Sequence, residues 1–286
     1  MDIDFGIKNL EFKDLEVAMR LKDEEGWNQT VEDWKLFYEQ NPHLCLKAEV
    51  DGETVATVTA INYQNRLSWI GMMLVDKRYR GRGISQSLMG AIIDRLQDCS
   101  SVKLDATPAG FHVYKKLGFE KEYSLNRMVR VDQSKMIPDE AMVHMRPIEE
   151  KDMTTILKLD IPVFGADRQA VLRHLRRTFP EGAMGIWEEE ELKGFLFCRK
   201  GSRYIQLGPM VAYEDAFALR LLKSAIHKFS GERLVLDIAM DKKNLIEGLK
   251  EAGFEVQREL IRMYLKSNLY KGDPHRYYLI CGPELG

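Results

Sequence analysis

Apolar and polar residues alternate along 44–63, and this period of two is typical of strands that bury one face. The Asp51-Gly52 pair interrupts the alternation and predicts a hairpin turn between two strands. A third strand is predicted over 66–75. After Gly83 the apolar positions change to helical spacing, at Ile84, Leu88, Ile92 and Leu96.

The predicted unit continues with a buried strand at 102–107, a helix at 108–118 and a long strand at 119–131. Proline near the first turn of this helix and glycine at its last position support the two boundaries. The same order returns in the second half, with strands near 183–189, 193–199 and 203–212, a helix over 214–229, and then a strand, a helix and a strand. The pattern therefore predicts two copies of one α/β unit.

Short segments recur in the same order and at nearly constant separation, which supports a tandem duplication. The matches are "IKNLEFKDL" with "MRPIEEKDM", "IGMMLVD" with "LGPMVAY", "VKLDA" with "LVLDI", "YKKLGFE" with "LKEAGFE", and "RMV" with "RMY". We predict the two domains at 1–133 and 141–286, with a polar linker at 132–140 that contains Pro138.

Composition narrows the classes of function. Hydrophobic residues make up 45% and charged residues 30%, and the net charge of -2 argues against a general nucleic-acid binder. No apolar run approaches the roughly 20 residues that a membrane span needs, and the first residues lack the apolar segment of a secretion signal. The four cysteines are scattered without a CxxC pair or a histidine cluster, so we expect no disulfide, no metal and a reducing, cytoplasmic location.

The most unusual segment is "VDKRYRGRGIS", residues 75–85, which joins a predicted strand to a predicted helix. Gly81 and Gly83 let the backbone approach a ligand closely, and the helix N-terminus presents amides that favour an anion. A Walker A loop is excluded because GxxxxGK[ST] is absent, and the third glycine of a dinucleotide fingerprint is missing. On these residues alone, a phosphate cradle and a plain strand-to-helix turn both remain open.

In its context the segment resembles the GCN5-related N-acetyltransferase (GNAT) superfamily. The pyrophosphate loop of that family, [QR]-x-x-G-x-[GA], is matched by Arg78, Gly81 and Gly83, and its later tyrosine and "GF" pair are matched by Tyr114 and residues 118–119. The resemblance covers the first copy, whereas the second copy keeps the strand pattern and lacks the loop. It implies an α/β (α+β) fold of two tandem GNAT-like domains, each with a mixed, mostly antiparallel central sheet flanked by helices.

The resemblance also implies that acetyl-CoA is the co-substrate, without a metal, in a gap between the third predicted strand and the strand at 102–106. Backbone groups of the third strand would bind the pantetheine arm like an added strand, and amides of the loop would bind the pyrophosphate. The positions carried over to cofactor binding are Met73, Leu74, Val75, Arg78, Arg80, Gly81, Arg82, Gly83, Ile84, Ser85 and Tyr114.

The implied reaction is acyl transfer to the primary amine of a small molecule or of an amino terminus. An alkyl amine with a pKa near about 10 must lose a proton before it attacks, and the leaving thiolate must gain one. The resemblance makes Tyr114 the general acid and directs a backbone amide near Met73 at the oxyanion.

Acidic and aromatic residues in "EEGWNQTVEDW" would suit a cationic amine. Glu24 and Glu25 are the candidate bases, and Trp27 and Asp33 are the candidate substrate contacts. A connecting loop with a packed tryptophan and solvated acids fits the same residues, so both interpretations stay open at this point.

The second copy has "AYEDAFA" in place of the loop, and Leu249 stands at the position of Tyr114. Glu214 and Asp215 suit a helix N-terminus and would repel a pyrophosphate. We expect a degenerate domain that completes the acceptor pocket or the interface between copies. The alternative function is a non-catalytic acyl-CoA-binding sensor or regulatory protein. In either case we expect a monomer or homodimer without nucleic-acid or membrane partners.

Overall fold

The first copy forms the elements predicted over 44–131, and within the described part of the chain one strand and two α-helices precede them. The computed structural model describes residues 4–135 and 145–286, so most of the predicted linker, with Pro138, lies outside the described residues. The elements of the first copy are β1 (Gly6–Asn9), α1 (Leu15–Glu24), α2 (Val31–Gln40), β2 (Cys45–Val50), β3 (Glu53–Tyr63), β4 (Leu67–Val75), α3 (Ile84–Arg95), β5 (Ser101–Ala106), α4 (Pro108–Lys116) and β6 (Glu120–Arg130).

The second copy repeats this order and adds one short strand. Its elements are β7 (Met145–Pro147), α5 (Met153–Phe164), α6 (Gln169–Thr178), β8 (Met184–Glu188), β9 (Glu191–Lys200), β10 (Ile205–Ala212), α7 (Asp215–Lys228), β11 (Leu234–Ala239), α8 (Lys243–Glu251), β12 (Phe254–Lys266) and β13 (Tyr277–Leu279). The predicted fold, a mixed and mostly antiparallel α/β architecture present twice, is confirmed.

The described strands form one continuous sheet in the order β1-β2-β3-β4-β5-β12-β6-β11-β13-β10-β9-β8-β7. The β4–β5 and β10–β11 pairs are parallel, and the other pairs are antiparallel. In the first copy, α1 and α2 pack with one hydrophobic core and α3 with another, because alternate residues of the strands point to opposite faces. No helix among the described residues has both the length and the apolar character to cross a membrane.

The two copies exchange their long last strands. Strand β12 of the second copy lies between β5 and β6 of the first, and β6 in turn pairs with β11 of the second copy. Each half of the sheet is therefore completed by a strand from the other half. The sequence pattern did not predict this exchange.

Matching buried ion pairs connect each exchanged strand to the copy that receives it. Arg262 of β12 donates two hydrogen bonds of 2.9 Å to Asp105 of β5. Arg127 of β6 donates bonds of 2.8 and 2.7 Å to Asp237 of β11. These are the arginines of the repeated "RM" segments and the aspartates of "VKLDA" and "LVLDI". The repeated residues therefore form two ion pairs between the copies.

The segment from Tyr277 to Gly286, called here the 277–286 segment, crosses from the second copy to the first. It begins as β13, which lies between β10 and β11 and pairs antiparallel with both. It then reaches the first copy, where Trp69 Nε1 donates to the carbonyl of Pro283 at 3.0 Å. At Gly71, a Cβ atom would lie only 2.6 Å from the Cβ of Glu284, so the absence of a side chain allows this close approach.

Candidate active site

Strands β4 and β5 separate part-way along the sheet. They pair only from Leu67 to Trp69, and beyond those residues no described strand lies between their facing edges. A bulge in β4 contributes to the separation: Met72 has a φ of 52°, and the register against β3 shifts beside it. The hydroxyl of Thr57 donates to the Met72 carbonyl at 3.0 Å and stabilises this uncommon conformation.

The loop after β4 leads into the first turn of α3. Near the start of this loop, the Arg78 amide donates to the Asp76 carboxylate at 3.0 Å. Gly81 and Gly83 have φ values of 76° and 78°, and nothing lies within 4 Å of the position that a Cβ would take at either residue. The first amides of α3 have no acceptor inside the helix and point out of its N-terminus. Open space beside backbone donors is what an anion such as a pyrophosphate requires.

Two arginines of the loop contact acidic or carbonyl oxygens of the first copy. The Arg78 guanidinium donates to Asp76 at 2.9 and 3.1 Å and holds the pKa of that carboxyl well below its ordinary value. Arg80 donates to the Val75 carbonyl at 3.1 Å and to Glu25 at 2.5 Å. The Val75 carbonyl has a second lone pair, so it can accept a hydrogen bond from a ligand beside the one from Arg80.

The other positions predicted for cofactor binding fall into two groups. Leu74 and Ile84 are buried in the core, so they can offer a ligand only backbone groups. Met73 lines a cleft between β4 and β5, and Ser85 lies half-buried on the first turn of α3. Arg82 is exposed and lies over a neighbouring tyrosine ring at 5.8 Å.

A cleft opens where β4 and β5 diverge. Its lining includes Trp27, Gln29, Met73 and Tyr114 from the first copy and Arg258 and Glu284 from the second. Burial raises the pKa of the Tyr114 hydroxyl to about 12. A phenol with this pKa is protonated at neutral pH and can donate a proton. The parts of the chain that the structure describes contain no group of three or more histidine, cysteine or acidic side chains placed to bind a metal.

The loop that carries Trp27 is held in place by the second copy. The side-chain oxygen of Asn28 accepts hydrogen bonds from the amides of Arg203 and Tyr204, at 3.0 and 2.9 Å. Trp27 thus lies in the cleft at a position set by the β9–β10 turn of the other copy. The predicted bases, Glu24 and Glu25, do not line the cleft. Glu24 accepts a hydrogen bond from Arg20 at 2.5 Å, and Glu25 accepts one from Arg80.

Asp33, the second predicted substrate contact, is occupied by structural interactions. It is only 4% exposed, and one carboxylate oxygen accepts from the Thr30 amide at 2.6 Å and from the Thr30 hydroxyl at 2.9 Å. The other oxygen accepts from Arg199. Asp33 is therefore buried in a helix cap and an ion pair, and it lies outside the residues that line the cleft.

The sequence did not predict that Glu284 and Arg258 line the cleft. One oxygen of Glu284 accepts from Arg199, while the other is buried and has no hydrogen-bond partner. The Nε of Arg258 is also buried without a partner. Both residues reach the cleft through the exchanged β12 and the 277–286 segment, whose paths local periodicity does not specify. The glycines and the proline around Glu284 in "CGPELG" were the one available signal of a close approach.

Comparison with known proteins assigns both copies to one family. Residues 10–119 match a model described as the acetyltransferase (GNAT) family, and residues 156–279 match a model described as an acetyltransferase (GNAT) domain. The chain belongs to the GNAT acetyltransferases. Because the two matches follow each other along the sequence, it is a tandem GNAT protein. The family and the names of its relatives make it an N-acetyltransferase, as the motifs predicted.

Relatives of this GNAT protein match nearly its full length. It is 26% identical to the holothin acyltransferase of Pseudoalteromonas sp. (strain SANK 73390), over 92% of this chain and 88% of the relative. It is 23% identical to the uncharacterized N-acetyltransferase YitH of Bacillus subtilis (strain 168), over 92% of each chain. A crystal structure of a provisionally assigned acetyltransferase from Pyrococcus horikoshii has a TM-score of 0.84 at 24% identity, covering 99% of this chain and 96% of that one.

The geometry of this GNAT site fits acetyl-CoA. The unpaired edge of β4 can accept an extended pantetheine arm in the way that β10 accepts β13. The glycine loop leaves open space at the position where a side chain would otherwise stand. When bound, acetyl-CoA would supply the acyl group as a thioester at the edge of the cleft.

Substitution of Gly83 by valine should weaken acetyl-CoA binding by at least about tenfold, which corresponds to about 1.4 kcal/mol. The side chain would occupy the open space beside the loop amides, and the Gly83 φ of 78° strains a β-branched residue. Isothermal titration calorimetry with acetyl-CoA measures the effect. Gly90→Val is the matched control, because Gly90 lies within α3 and nothing stands within 4 Å of its Cβ position. Equal affinities for the two variants would contradict the loop assignment.

Proposed function

We propose that this protein transfers an acetyl group from acetyl-CoA to the primary amine of a small molecule or an amino terminus. The observation that carries the proposal is the gap between β4 and β5, which opens beside Tyr114 and is flanked by the glycine loop. A relative that matches most of the chain is named an acyltransferase, and this supports the same class of reaction.

The residues of the first copy have separate roles in this proposal. Amides from Arg78 to Ser85 bind the pyrophosphate, and backbone groups of Met73 and Val75 bind the pantetheine arm. The Met73 amide faces the developing oxyanion. Tyr114 gives its proton to the leaving sulfur, and the apolar surroundings that raise its pKa to about 12 keep that proton available at neutral pH.

The second copy binds no CoA in this proposal. The gap between β10 and β11 holds β13, which pairs with both strands where a pantetheine arm would lie. The helix that follows β10 begins with Asp215 in its first turn, and a carboxylate there opposes a bound pyrophosphate. The second copy contributes instead to the cleft of the first, through Arg258 and Glu284.

Acetyl-CoA should raise the Tm of the purified protein, since a ligand present at 100 times its Kd stabilises the folded state by about 2.7 kcal/mol. A second assay follows the release of free thiol across a panel of primary amines. Binding with turnover supports the transferase, and binding without turnover on any amine would favour a sensor. The absence of any shift in Tm at saturating acetyl-CoA would contradict the proposed function.

A further inference from the structure

Arg258 differs from three fully buried arginines of the sheet. Arg127, Arg199 and Arg262 each pair with one or two carboxylates. Arg258 is half-buried on the lining of the cleft, its Nε is shielded from solvent, and it has no hydrogen bond and no ion pair with any residue that the structure describes. A guanidinium that lines a cleft without a counter-ion can bind a ligand that supplies the negative charge.

The surroundings of Arg258 increase its need for an anion. It lies on β12 directly opposite Arg127 of β6, whose own guanidinium is satisfied by Asp237. Burial, and then the positive charge of Arg127, lower the pKa of Arg258 from its ordinary value. Both effects would be relieved by a carboxylate or another anionic group in the cleft beside Arg258.

Glu284 lines the same cleft and carries the opposite charge to Arg258. Its carboxylate is 2% exposed, and only one of its two oxygens has a hydrogen-bond partner. Its backbone packs directly on Gly71, one residue before the bulge of β4. Glu284 thus lines the cleft beside the part of β4 that precedes Met73.

We propose that the acceptor is an amine that also carries an anionic group, which Arg258 binds, while Glu284 accepts the proton that the amine must lose. This inference rests on the proposed acetyltransferase function and names the substrate class of the same site. An amino acid is the simplest molecule with both groups. Trp27, on the same lining, then contacts the apolar part or the cationic end of the acceptor.

The transfer balances in bonds and protons. One C–N bond forms between the amine nitrogen and the acetyl carbon, and one C–S bond breaks. The ammonium form of the acceptor loses two protons in total. One goes to Glu284 and on to solvent, and the other replaces the proton that Tyr114 gives to the sulfur. No oxidant, reductant or metal is needed.

The test of the anion site uses acceptors in matched pairs: α-amino acids and longer ω-amino acids, each beside its neutral primary amide. We expect kcat/KM for the acids to exceed that for the amides by at least about tenfold, as for a charge-assisted hydrogen bond. In Arg258→Met this preference should disappear, while the Kd for acetyl-CoA stays within twofold of that of the unaltered protein. Arg66→Met, which removes a positive charge from the exposed β3–β4 turn, should keep the preference.

The test of Glu284 compares two carboxylates that share one arginine. Glu284→Gln and Asp33→Asn each remove one of the acids paired with Arg199, so a purely structural role predicts similar losses of Tm and of turnover. Proton transfer through Glu284 predicts a fall in kcat/KM of about 10²-fold or more in Glu284→Gln alone.

The inference and the proposed function can fail separately. No shift in Tm with acetyl-CoA overturns the function. A shift in Tm, with amides used as well as acids, overturns the anion site. If no amine is turned over, calorimetric titration of the acids and of the amides into the CoA complex tests the anion site instead. The inference is overturned if the acids and the amides bind equally well, or if neither binds. Loss of acetyl-CoA affinity in Arg258→Met would assign Arg258 to the cofactor and would also overturn it.

Discussion

Replacing Tyr114 with phenylalanine should lower kcat by roughly 10²-fold or more, which is typical for the loss of a general acid. Acetyl-CoA affinity should stay within about twofold, because only one hydroxyl is removed. The phenyl ring keeps its packing against Phe119, whose centroid is 6.1 Å away. Thiol release under saturating substrates measures kcat, and calorimetry measures binding.

The pKa of Tyr114 predicts how its protonation changes with pH. Burial raises the pKa of its hydroxyl to about 12, so the proton is retained through the neutral range and lost only as the pH approaches that value. Tyr114 should therefore give the pH profile no basic limb near neutrality. Tyr264→Phe is the matched control, since that exposed hydroxyl bonds Glu120 at 2.7 Å, outside the cleft. Full activity in Tyr114→Phe, or the same loss in the control, would contradict the acid assignment.

Breaking one ion pair of the exchanged strands should destabilise the whole protein. In Asp237→Ala, the guanidinium of Arg127 stays buried without its carboxylate, and removal of one partner of such a pair costs about 3–5 kcal/mol. The Tm should fall by roughly 10 °C. Because β6 belongs to one copy and β11 to the other, both halves should unfold together at the lower temperature. Thermal denaturation followed by circular dichroism measures this.

Two comparison variants make the stability result specific. Glu32→Ala removes an acid from an exposed pair with Lys35 and should change the free energy of unfolding by less than about 1 kcal/mol. The double variant Arg127→Met with Asp237→Leu replaces the buried pair with apolar side chains and should recover most of the lost stability. If Asp237→Ala costs no more than Glu32→Ala, the ion pair does not hold the exchanged strand.

The sequence predicted the elements well because periodicity is a local property. It could not predict the exchange, because alternation shows which face of a strand is buried and not which neighbour it pairs with. Strands β6 and β12 carry the same "RM" segment, so a pairing within each copy satisfied the pattern equally. The repeated arginines and aspartates were visible, and only the sheet order reveals that each pair joins two copies.

For the site, the sequence could predict the backbone conformation of consecutive residues. The positive φ values of Gly81 and Gly83 follow from a motif that one loop contains. The helix cap formed by Asp33 is also a local signal, because its spacing from Thr30 is that of a capping box. Arg258 and Glu284 are different, because they stand at the cleft only after more than a hundred residues of intervening chain have folded.

The exchanged strands also constrain how the protein can be made in a cell. As the chain leaves the ribosome, the segment that becomes β5 must wait for residues 254–266 before its second edge is covered. Domains commonly fold in order during synthesis, but this N-terminal half emerges with an open sheet edge, which is prone to pair with other chains. A gene shortened to the first copy would leave that edge exposed permanently. The sheet of the first half is therefore completed only after the second half has been synthesised.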